Sequence, residues 1–418
     1  MLEQELREIS LPLTGNQAEV VRQTDSMTIL KRKLLIIAKE PAPYDYDLFN
    51  AFSDDIKWDT FVFFTQQRDW GCTKGHNFIE LPEARFKYEV ARGRPFQSLI
   101  MSAIKLARLF YETCPDFTIV KGYNSVLSIS ALTMCILSNR PFALFGDWFN
   151  NSESSGIKRI KNVLRDALRA IIFRKATAIL TCGKEGVRSA IEAGCLSTKV
   201  VNFPYAVDRS RLSNFSANDL PAVCEFDLES DKTIIMFSGR LIQRKGLSTL
   251  LDSLARLQDL SGWVTWIEGD GPLESNYKEA VKILGIESRC RFLGFCQMSL
   301  HSKLLQSSDI VVVPSFHDPW GIVVDEAMQL GKAVCASRQT KSAMDRIDNR
   351  VNGYLFEAGS CGDLTLCLSE LIQDPQLRSR LGNSASESSA TWSPQRNVVL
   401  LNQIFERLSQ PPRVKNGL

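Results

Sequence analysis

Histidine is scarce in this sequence of 418 residues, neither charge is in strong excess, and no apolar run is long. Three histidines, with eleven cysteines that never form a Cys-x-x-Cys pair, argue against a zinc site. His301 and His317 stand alone and are interpreted as ordinary polar residues, although His317 is next to Asp318 and could reach a ligand bound there. The 50 Lys and Arg residues against 47 Asp and Glu leave a net charge of +3, which argues against a nucleic-acid partner. The most apolar stretch, 125–138, is shorter than the roughly 20 residues of a membrane span.

The first ten residues, MLEQELREIS, are polar and acidic, which is unlike a signal peptide. Residues 1–30 show no clear period, and their role stays open. The scattered cysteines are typical of small buried residues in a reducing compartment. We therefore expect a cytoplasmic protein, with peripheral contact at the inner face of a membrane as an alternative left open.

The chain is long enough, and with 44% hydrophobic residues apolar enough, for two domains that each bury a core. Short β-branched apolar runs alternate with longer amphipathic segments, which is typical of βαβ units on parallel sheets. Two such series predict an α/β fold of two doubly wound, Rossmann-like domains. The predicted strands are 34–38, 60–65, 117–121, 142–145, 178–181 and 199–202 in the first series, and 233–238, 264–268, 290–293, 309–314 and 332–336 in the second.

The strand pattern stops near residue 202, where a polar, Ser-rich stretch begins. We place the N-terminal domain at 1–205 and the C-terminal domain at 206–392. A Ser-Pro pair opens the last segment, 393–418, whose apolar residues predict a helix with one buried side. This helix is expected to pack back on the N-terminal domain.

The first candidate site follows the predicted strand 233–238, in the turn Gly239-Arg240-Leu-Ile-Gln-Arg-Lys245-Gly246. Ligands of open α/β sheets bind beyond the carboxyl ends of strands, beside helix N-termini. Small residues there let the backbone approach a ligand closely, and Arg240 and Lys245 supply positive charge for a diphosphate. A solvated basic turn is the alternative interpretation.

A second candidate site follows the predicted strand 309–314. The loop that comes next holds Asp318, and a helix that begins after Gly321 carries Glu326 near its start. Carboxylates accept hydrogen bonds from hydroxyl groups and the unpaired N–H groups of a helix start donate them, which suits a hydroxyl-rich ligand. Ordinary first-turn acids, or the carboxyl pair of a glycosidase, are the alternatives. Neither alternative accounts for the basic turn at Lys245.

These motifs, in their order, resemble glycosyltransferase family 4. The resemblance rests on Phe237-Ser-Gly-Arg-Leu with Lys245-Gly246, Glu268-Gly-Asp-Gly, Phe292-Leu-Gly-Phe, Val311-Val-Val-Pro-Ser and Asp318-x7-Glu326-Ala-Met. Members are retaining enzymes of the GT-B fold, in which two Rossmann-like domains face each other across a cleft. The resemblance implies transfer of a hexose-type sugar from a nucleotide diphosphate sugar, with a UDP-sugar as the first expectation. The acceptor implied by the resemblance would be a hydroxyl group of a glycan, a lipid-linked compound or a small molecule.

The resemblance also implies a role for each matched residue. Arg240 and Lys245, beside Gly239, would hold the donor diphosphate and stabilise its charge as the sugar leaves. Glu326 would bind the ribose hydroxyls of the nucleotide. Asp318 stands where the family usually has Glu, so its shorter carboxylate would hold the transferred sugar with an altered grip.

Further contacts follow from the same resemblance. Phe295 would line the nucleotide base, and the sugar corner would be formed by four consecutive residues, Trp320, Gly321, Ile322 and Val323. Many members place a His after the strand that corresponds to 142–145, and here Asp147 is the candidate for that position. Asp147 would accept a hydrogen bond from a sugar or acceptor hydroxyl; a loop or N-cap acid is the alternative.

Retaining transfer without a protein nucleophile implies front-face attack, in which the departing diphosphate helps to deprotonate the acceptor. Arg240 and Lys245 would take the place of a divalent metal, so no metal and no cofactor are expected. Asp45-Tyr-Asp47 has the spacing of a DxD metal motif but lies in the wrong half, and we interpret it as a surface loop. The alternative functions are a sugar-nucleotide epimerase and a non-catalytic protein that binds a sugar nucleotide.

Residues 157–175 predict an amphipathic helix in the N-terminal domain. Its apolar stripe comprises Ile157, Ile160, Leu164, Leu168 and Ile171. Its opposite, basic side comprises Lys158, Lys161, Arg165 and Arg169. The basic side could dock an anionic membrane or a lipid-phosphate acceptor. A core-facing helix with a solvated charged side is the alternative.

Overall fold

The computed structural model of the protein describes residues 31–66, 81–91, 96–147, 149, 157–213 and 231–409. The open question of residues 1–30 lies outside these ranges. Within them the strands form two separate parallel sheets, one in each half of the chain. We call the halves built on these sheets the N-domain and the C-domain. The predicted class, two doubly wound α/β domains, is confirmed.

The N-domain sheet is built from seven strands, β1 Arg32–Ala38, β2 Trp58–Phe64, β3 Lys87–Val90, β4 Phe117–Lys121, β5 Phe142–Phe145, β6 Ala178–Thr181 and β7 Val200–Asn202. All pairs within it are parallel, in the order β3-β2-β1-β4-β5-β6-β7. The chain changes direction across the sheet between β1 and β4. Ligands of doubly wound sheets bind at the carboxyl ends of strands beside such a switch point.

The C-domain sheet is built from six strands, β8 Thr233–Ser238, β9 Trp263–Glu268, β10 Cys290–Gly294, β11 Ile310–Val313, β12 Ala333–Ser337 and β13 Tyr354–Phe356. Their order is β10-β9-β8-β11-β12-β13, which places the switch point between β8 and β11. Both candidate sites of the sequence follow these two strands. The edge strands β3 and β13 were absent from the prediction, because the first is largely polar and the second has only three residues.

Helices cover both sides of each sheet. In the described ranges they are α1 Pro43–Asp54, α2 Phe96–Thr113, α3 Val126–Leu137, α4 Ile157–Lys175, α5 Gly183–Glu192, α6 Arg209–Ser213, α7 Leu247–Ala255, α8 Glu274–Ile283, α9 Met298–Ser307, α10 Ile322–Gln329, α11 Lys341–Arg346, α12 Cys361–Gln373, α13 Pro375–Ser389 and α14 Pro394–Ser409. Among the helices described, none combines the length and the apolar character needed to cross a bilayer.

The last helix, α14, lies against the N-domain although the chain reaches it from the C-domain. Its apolar residues Val398, Leu401 and Ile404 are buried in the same core cluster as the β1 residues. The indole Nε1 of Trp58 in β2 donates to Asn402 Oδ1 at 2.8 Å. The chain therefore passes from one domain to the other twice, once before β8 and once before α14.

Candidate active site

Two adjoining cavities lie beyond the carboxyl ends of the two sheets. The N-domain cavity, of about 650 Å³, follows β1, β4 and β5 and is lined by Lys39, Lys121 and Asp147 among others. The C-domain cavity, of about 220 Å³, follows β8 and β9 and includes Glu268. Each cavity takes residues from both domains, and Tyr44 at the start of α1 lines both. A ligand in one cavity is therefore next to a ligand in the other.

Glu326, on α10, lines the C-domain cavity and is buried. Its Oε2 lies 3.1 Å from Nε2 of His301, and its Oε1 lies 3.6 Å from Nη2 of Arg211. Burial alone would raise the pKa of Glu326, but the charge and hydrogen bond of His301, followed by those of Arg211, outweigh burial and lower it. The cavity wall therefore carries an ionised carboxylate.

The imidazole of His301, on α9, lies between two buried carboxylates. Its Nδ1 is 2.7 Å from Glu268 Oε2, and its Nε2 is 3.1 Å from Glu326 Oε2. Because carboxylates only accept hydrogen bonds, both ring nitrogens donate and the ring is a cation. Burial would lower the pKa of His301, but the two carboxylates outweigh burial and raise it to about 10. His301 is not the isolated polar residue that the sequence indicated.

Arg211, on α6 between the two sheets, links the domains. Its Nε lies 2.9 Å from Asp47 Oδ2 on α1, while its Nη2 is the group near Glu326. Burial raises the pKa of Asp47 to about 6, although Arg211 opposes the shift. Asp45, two residues earlier, pairs with Lys121 at the end of β4. The DxD sequence is thus buried at a helix start, which corrects its interpretation as a surface loop.

The predicted basic turn follows β8 directly, with Gly239 as its first residue. Gly246 ends the turn with φ at +70°, and any side chain there would overlap the carbonyl just after β11, so this position requires glycine. Lys245 Nζ donates to Asp318 Oδ2 at 2.6 Å. Arg240 is exposed on the same turn. The fold therefore joins the first candidate site to the second through one ion pair.

The start of α10 lies beside that pair, as the sequence predicted. Gly321 precedes the helix with φ at +89°, and a Cβ atom there would lie 2.5 Å from Thr340 Cγ2. Ile322 and Val323 line the C-domain cavity together with Phe295. The first N–H groups of α10 are thus close to the cavity, where a helix start can donate to an anion or a hydroxyl.

Trp320, which directly precedes Gly321, has a buried side chain. Its side chain is only 4% exposed and lines neither cavity. Its Nε1 donates to Asp325 Oδ2 at 3.1 Å, and its ring meets the edge of Tyr205 with centroids 6.5 Å apart. Asp325 also pairs with Arg346, which is buried. The indole therefore packs at the junction of the two domains, and its contact with the donor stays a prediction.

Asp147 lies in the N-domain cavity, just after β5. Its Oδ1 accepts a hydrogen bond from the Tyr205 hydroxyl at 3.0 Å and lies 3.6 Å from Cys182 Sγ. His317 and Pro319, from the loop that holds Asp318, line the same cavity from the C-domain side. The candidate acceptor residue and the loop of the candidate sugar residue thus meet at one cavity.

Helix α4 presents different sides to the core and to solvent than the sequence predicts, over residues 162–175, whose side chains the structure describes. Arg165 and Arg169 line the N-domain cavity, and Arg169 Nη1 donates to Phe149 O at 2.9 Å. Leu164 and Ile171, predicted to face the core, are 67% and 52% exposed. Arg165 and Arg169 therefore point to the cavity, whereas Leu164 and Ile171 of the apolar stripe point to solvent and Leu168 packs against the core.

Sequence reasoning missed His301, Arg211 and Asp47. The contact of His301 with Glu268 joins residues 33 positions apart, and that of Arg211 with Asp47 joins residues 164 apart. Neither pair has a local pattern. The one available signal is that Glu268 ends an apolar strand, at the edge of the sheet where ligand-binding side chains collect.

The C-domain is similar in sequence to known glycosyltransferases. The family model described as "Glycosyl transferases group 1" matches residues 225–388. The lipopolysaccharide core biosynthesis glycosyltransferase LpsE of Rhizobium meliloti is 30% identical over 183 residues, which are 44% of this chain and 48% of LpsE. The D-inositol 3-phosphate glycosyltransferase of Corynebacterium jeikeium is 31% identical over 192 residues, 44% of this chain and 45% of that protein. The chain spans about half the length of the curated relatives it matches.

Solved structures are similar over both domains. HepE of Anabaena, in complex with UDP and glucose, has a TM-score of 0.68 and 20% identity. The match covers 90% of this chain and 99% of the HepE chain. The sucrose-phosphate synthase of Thermosynechococcus elongatus has a TM-score of 0.71 and 15% identity, with 91% and 99% covered. This similarity agrees with the two observed sheets in assigning the GT-B fold.

Proposed function

We propose that the protein is a retaining, metal-independent glycosyltransferase of family 4 that moves a hexose-type sugar from a nucleotide diphosphate sugar to an acceptor hydroxyl. The observation that carries the proposal is the placement of Lys245, Asp318 and Glu326 around the start of α10, beyond the carboxyl ends of β8 and β11. Cations for a diphosphate and carboxylates for hydroxyl groups meet there. The match of residues 225–388 to glycosyl transferases group 1 supports the same function.

In this proposal the nucleotide binds in the C-domain cavity. Glu326 accepts hydrogen bonds from the ribose hydroxyls, and Phe295 lies against the base. A UDP-sugar is the first candidate donor because HepE, which is similar in fold, has been crystallised with UDP and with UDP-glucose. Lys245 has three N–H donors, so its ammonium group can hold Asp318 and a phosphate oxygen together.

Transfer then proceeds on one face of the sugar. The bond between the anomeric carbon and the diphosphate oxygen breaks as the acceptor oxygen bonds to that carbon, and the acceptor proton passes to the departing diphosphate. Lys245 and Arg240 stabilise the negative charge that develops on the diphosphate. Asp318 positions the sugar, and the first N–H groups of α10 donate to its hydroxyls or to the phosphate.

The acceptor binds in the N-domain cavity. Asp147, which is oriented by the Tyr205 hydroxyl, accepts a hydrogen bond from the acceptor or the sugar. The volume of about 650 Å³ is sufficient for a sugar-sized group. Lipopolysaccharide core biosynthesis is the activity in the name of LpsE, and it makes glycan or glycolipid acceptors the first to test.

We also propose peripheral membrane contact through α4, on its apolar rather than its basic side. Val163, Leu164 and Ile171 are 61%, 67% and 52% exposed. Arg174 and Lys175 end the helix and are exposed. Exposed apolar residues beside cations are the features of a helix that lies at a membrane interface with anionic lipids.

A donor screen tests the function as a whole. Thermal shifts with UDP, GDP and ADP identify the base, and mass spectrometry of products from the matching nucleotide sugars and candidate acceptors identifies transfer. We expect stabilisation by one nucleotide, and a glycosylated product whose anomeric configuration is retained, in the presence of EDTA. Tight nucleotide binding without transfer would instead support a sugar-nucleotide-binding protein, and a free epimerised nucleotide sugar would support an epimerase.

A further inference from the structure

His301 is a buried ionisable group that the proposed reaction does not use. It is placed by α9, while its two partners come from the end of β9 and from α10. It also lines the C-domain cavity, beside Glu268 and Glu326. A cation at this point thus contacts two acids on the wall of the proposed nucleotide site.

Two ionised carboxylates in one buried wall would repel each other without a cation between them. His301 supplies that cation to both carboxylates, and Arg211 supplies a second one to Glu326 alone. The other titratable groups nearby are Tyr44 and Cys296 in the cavity lining, Asp325 next to Glu326 on α10, and Asp47 behind Arg211. His301 contacts both acids, through Nδ1 to Glu268 and through Nε2 to Glu326.

We propose that His301 is a positioning residue, which holds Glu326 ionised and aimed into the C-domain cavity so that Glu326 can accept the ribose hydroxyls of the donor. This inference rests on the proposed function. Each carboxylate oxygen can accept more than one hydrogen bond, so Glu326 Oε2 can hold His301 and still accept a hydroxyl group. The imidazole fixes the orientation of the carboxylate without occupying all of its acceptor sites.

The placement makes a prediction about pH. With His301 in place, the cation keeps the pKa of Glu326 below its usual value, so Glu326 stays ionised over the range from pH 5.5 to 8.5. Without the His301 cation, the larger of the two opposing charges is lost, so burial raises the pKa of Glu326. Acidification should then protonate Glu326 and weaken nucleotide binding more in the variant than in the wild type.

The test measures the UDP dissociation constant of the full chain by calorimetry between pH 5.5 and 8.5. His301→Gln keeps a hydrogen-bond donor without the charge, and His301→Leu removes both. We expect UDP to bind about 10- to 100-fold more weakly to His301→Leu, on the scale of a lost charged hydrogen bond. We expect the ratio of the His301→Gln constant to the wild-type constant to grow as the pH falls. Ionisation of UDP itself cancels in that ratio.

Lys282→Gln, an exposed change on α8, is the control and should bind UDP like the wild type. GDP and ADP replace UDP if the donor screen selects them. A wild type that binds none of the three overturns the proposed function itself. If the wild type binds a nucleotide, and His301→Gln binds it with the same affinity and the same pH dependence, the positioning role alone is overturned.

A measurement on the wild-type protein keeps the inference testable if the variants do not fold. The ring of His301 should remain protonated at pH 8, as read from its nitrogen chemical shifts by NMR. Its signal is assigned by elimination, with variants of the other histidines such as His317→Gln. A ring that loses its proton near the ordinary histidine pKa of about 6.5 would overturn the proposal.

Discussion

At the scale of single residues, the contact between Lys245 and Asp318 joins the two candidate sites. The ammonium group lies 2.6 Å from Asp318 Oδ2, and the carboxylate is buried whereas Lys245 is partly open to solvent. The pair holds the long lysine side chain at the end of β8 before any donor binds. A cation fixed in this way loses little freedom when it takes up a phosphate oxygen.

Lys245→Ala should therefore reduce kcat/KM about 100- to 1,000-fold, the scale of losing one donor to a developing negative charge. Arg240→Ala, at an exposed position on the same turn, should lower kcat/KM on the same scale. Steady-state kinetics with the donor found in the screen provide the measurement. Lys282→Ala is the matched control for removal of a lysine, and near-wild-type turnover of Lys245→Ala would remove Lys245 from the diphosphate site.

The charge of His301 should also appear in the stability of the protein. Its folded pKa of about 10 lies above the ordinary histidine value of about 6.5, so its contribution is fully present below pH 6.5 and is lost as the pH rises toward 10. Urea unfolding of the wild type and His301→Gln between pH 6 and 10 should show a stability difference that narrows with rising pH. A difference independent of pH would mean that the ring is not a buried cation.

The local sequence was informative only for some of these residues. Lys245, Asp318 and Glu326 follow strands in recognisable motifs, and the fold places them around one helix start. The role of His301 depends on a residue 33 positions earlier in the chain, so no local motif contains it. Trp320 lies within a motif, but its packing against the N-domain was not visible from the C-domain pattern alone.

At the scale of elements, α4 shows how a helical pattern can be read with the wrong side inward. Its apolar stripe predicts a core-facing side, yet Leu164 and Ile171 are exposed while Arg169 is buried. Arg169 is satisfied by a backbone carbonyl and by Asp166 at 3.3 Å, which offsets the cost of its burial. Periodicity identifies the helix, but it does not decide which side faces the core when the cationic side lines a cavity.

If α4 lies on membranes with its apolar stripe, polar substitutions there should abolish binding. Val163→Ser/Leu164→Ser/Ile171→Ser should fail to co-sediment with vesicles that contain anionic lipid, whereas the wild type sediments and does so less at higher salt. UDP affinity should be unchanged in the triple variant, which shows that the C-domain cavity is intact. Equal sedimentation of the two proteins, or none by the wild type, would refute this orientation.

At the scale of the whole molecule, polar contacts connect the two domains. The backbone N–H of Lys184, at the start of α5, donates to Asp345 Oδ1 and Oδ2 of α11, at 3.1 and 3.0 Å. Arg211 joins Asp47 of the N-domain to Glu326 of the C-domain. One of these links therefore reaches the wall of the proposed donor site, so the donor site and the domain junction share a charged network.

The two-domain plan was readable from the sequence because each central strand is a continuous apolar run. Residues of β1 and β8 are buried on both sides of their sheets, so their patterns differ clearly from the intervening helices. The links between the domains were not readable. Such links join single charged residues distant in the chain, and nothing in a periodic pattern selects Arg211 over its exposed neighbour Arg209.

Arg211→Gln tests the link and should destabilise the protein by about 3–5 kcal/mol, because it leaves the carboxylate of Asp47 buried without its cation. The Asp47 pKa, already raised to about 6, should rise further in the variant, since Arg211 no longer opposes burial. A carboxyl group with a raised folded pKa contributes stability at low pH that is lost as the pH rises through that value. The stability deficit of the variant, measured by urea unfolding, should therefore be larger at pH 8 than at pH 5.

Arg209→Gln removes the same charge from an exposed position on the same helix and should change stability little at either pH. Asp47→Asn combined with Arg211→Gln should recover part of the lost stability at pH 8, since the unpaired charge is then absent. The Arg209→Gln control and the double variant together distinguish the loss of a positive charge in general from the loss of the partner of Asp47. An equal deficit at pH 5 and pH 8, with no recovery in the double variant, would show that Arg211 acts by packing and not by pairing with Asp47.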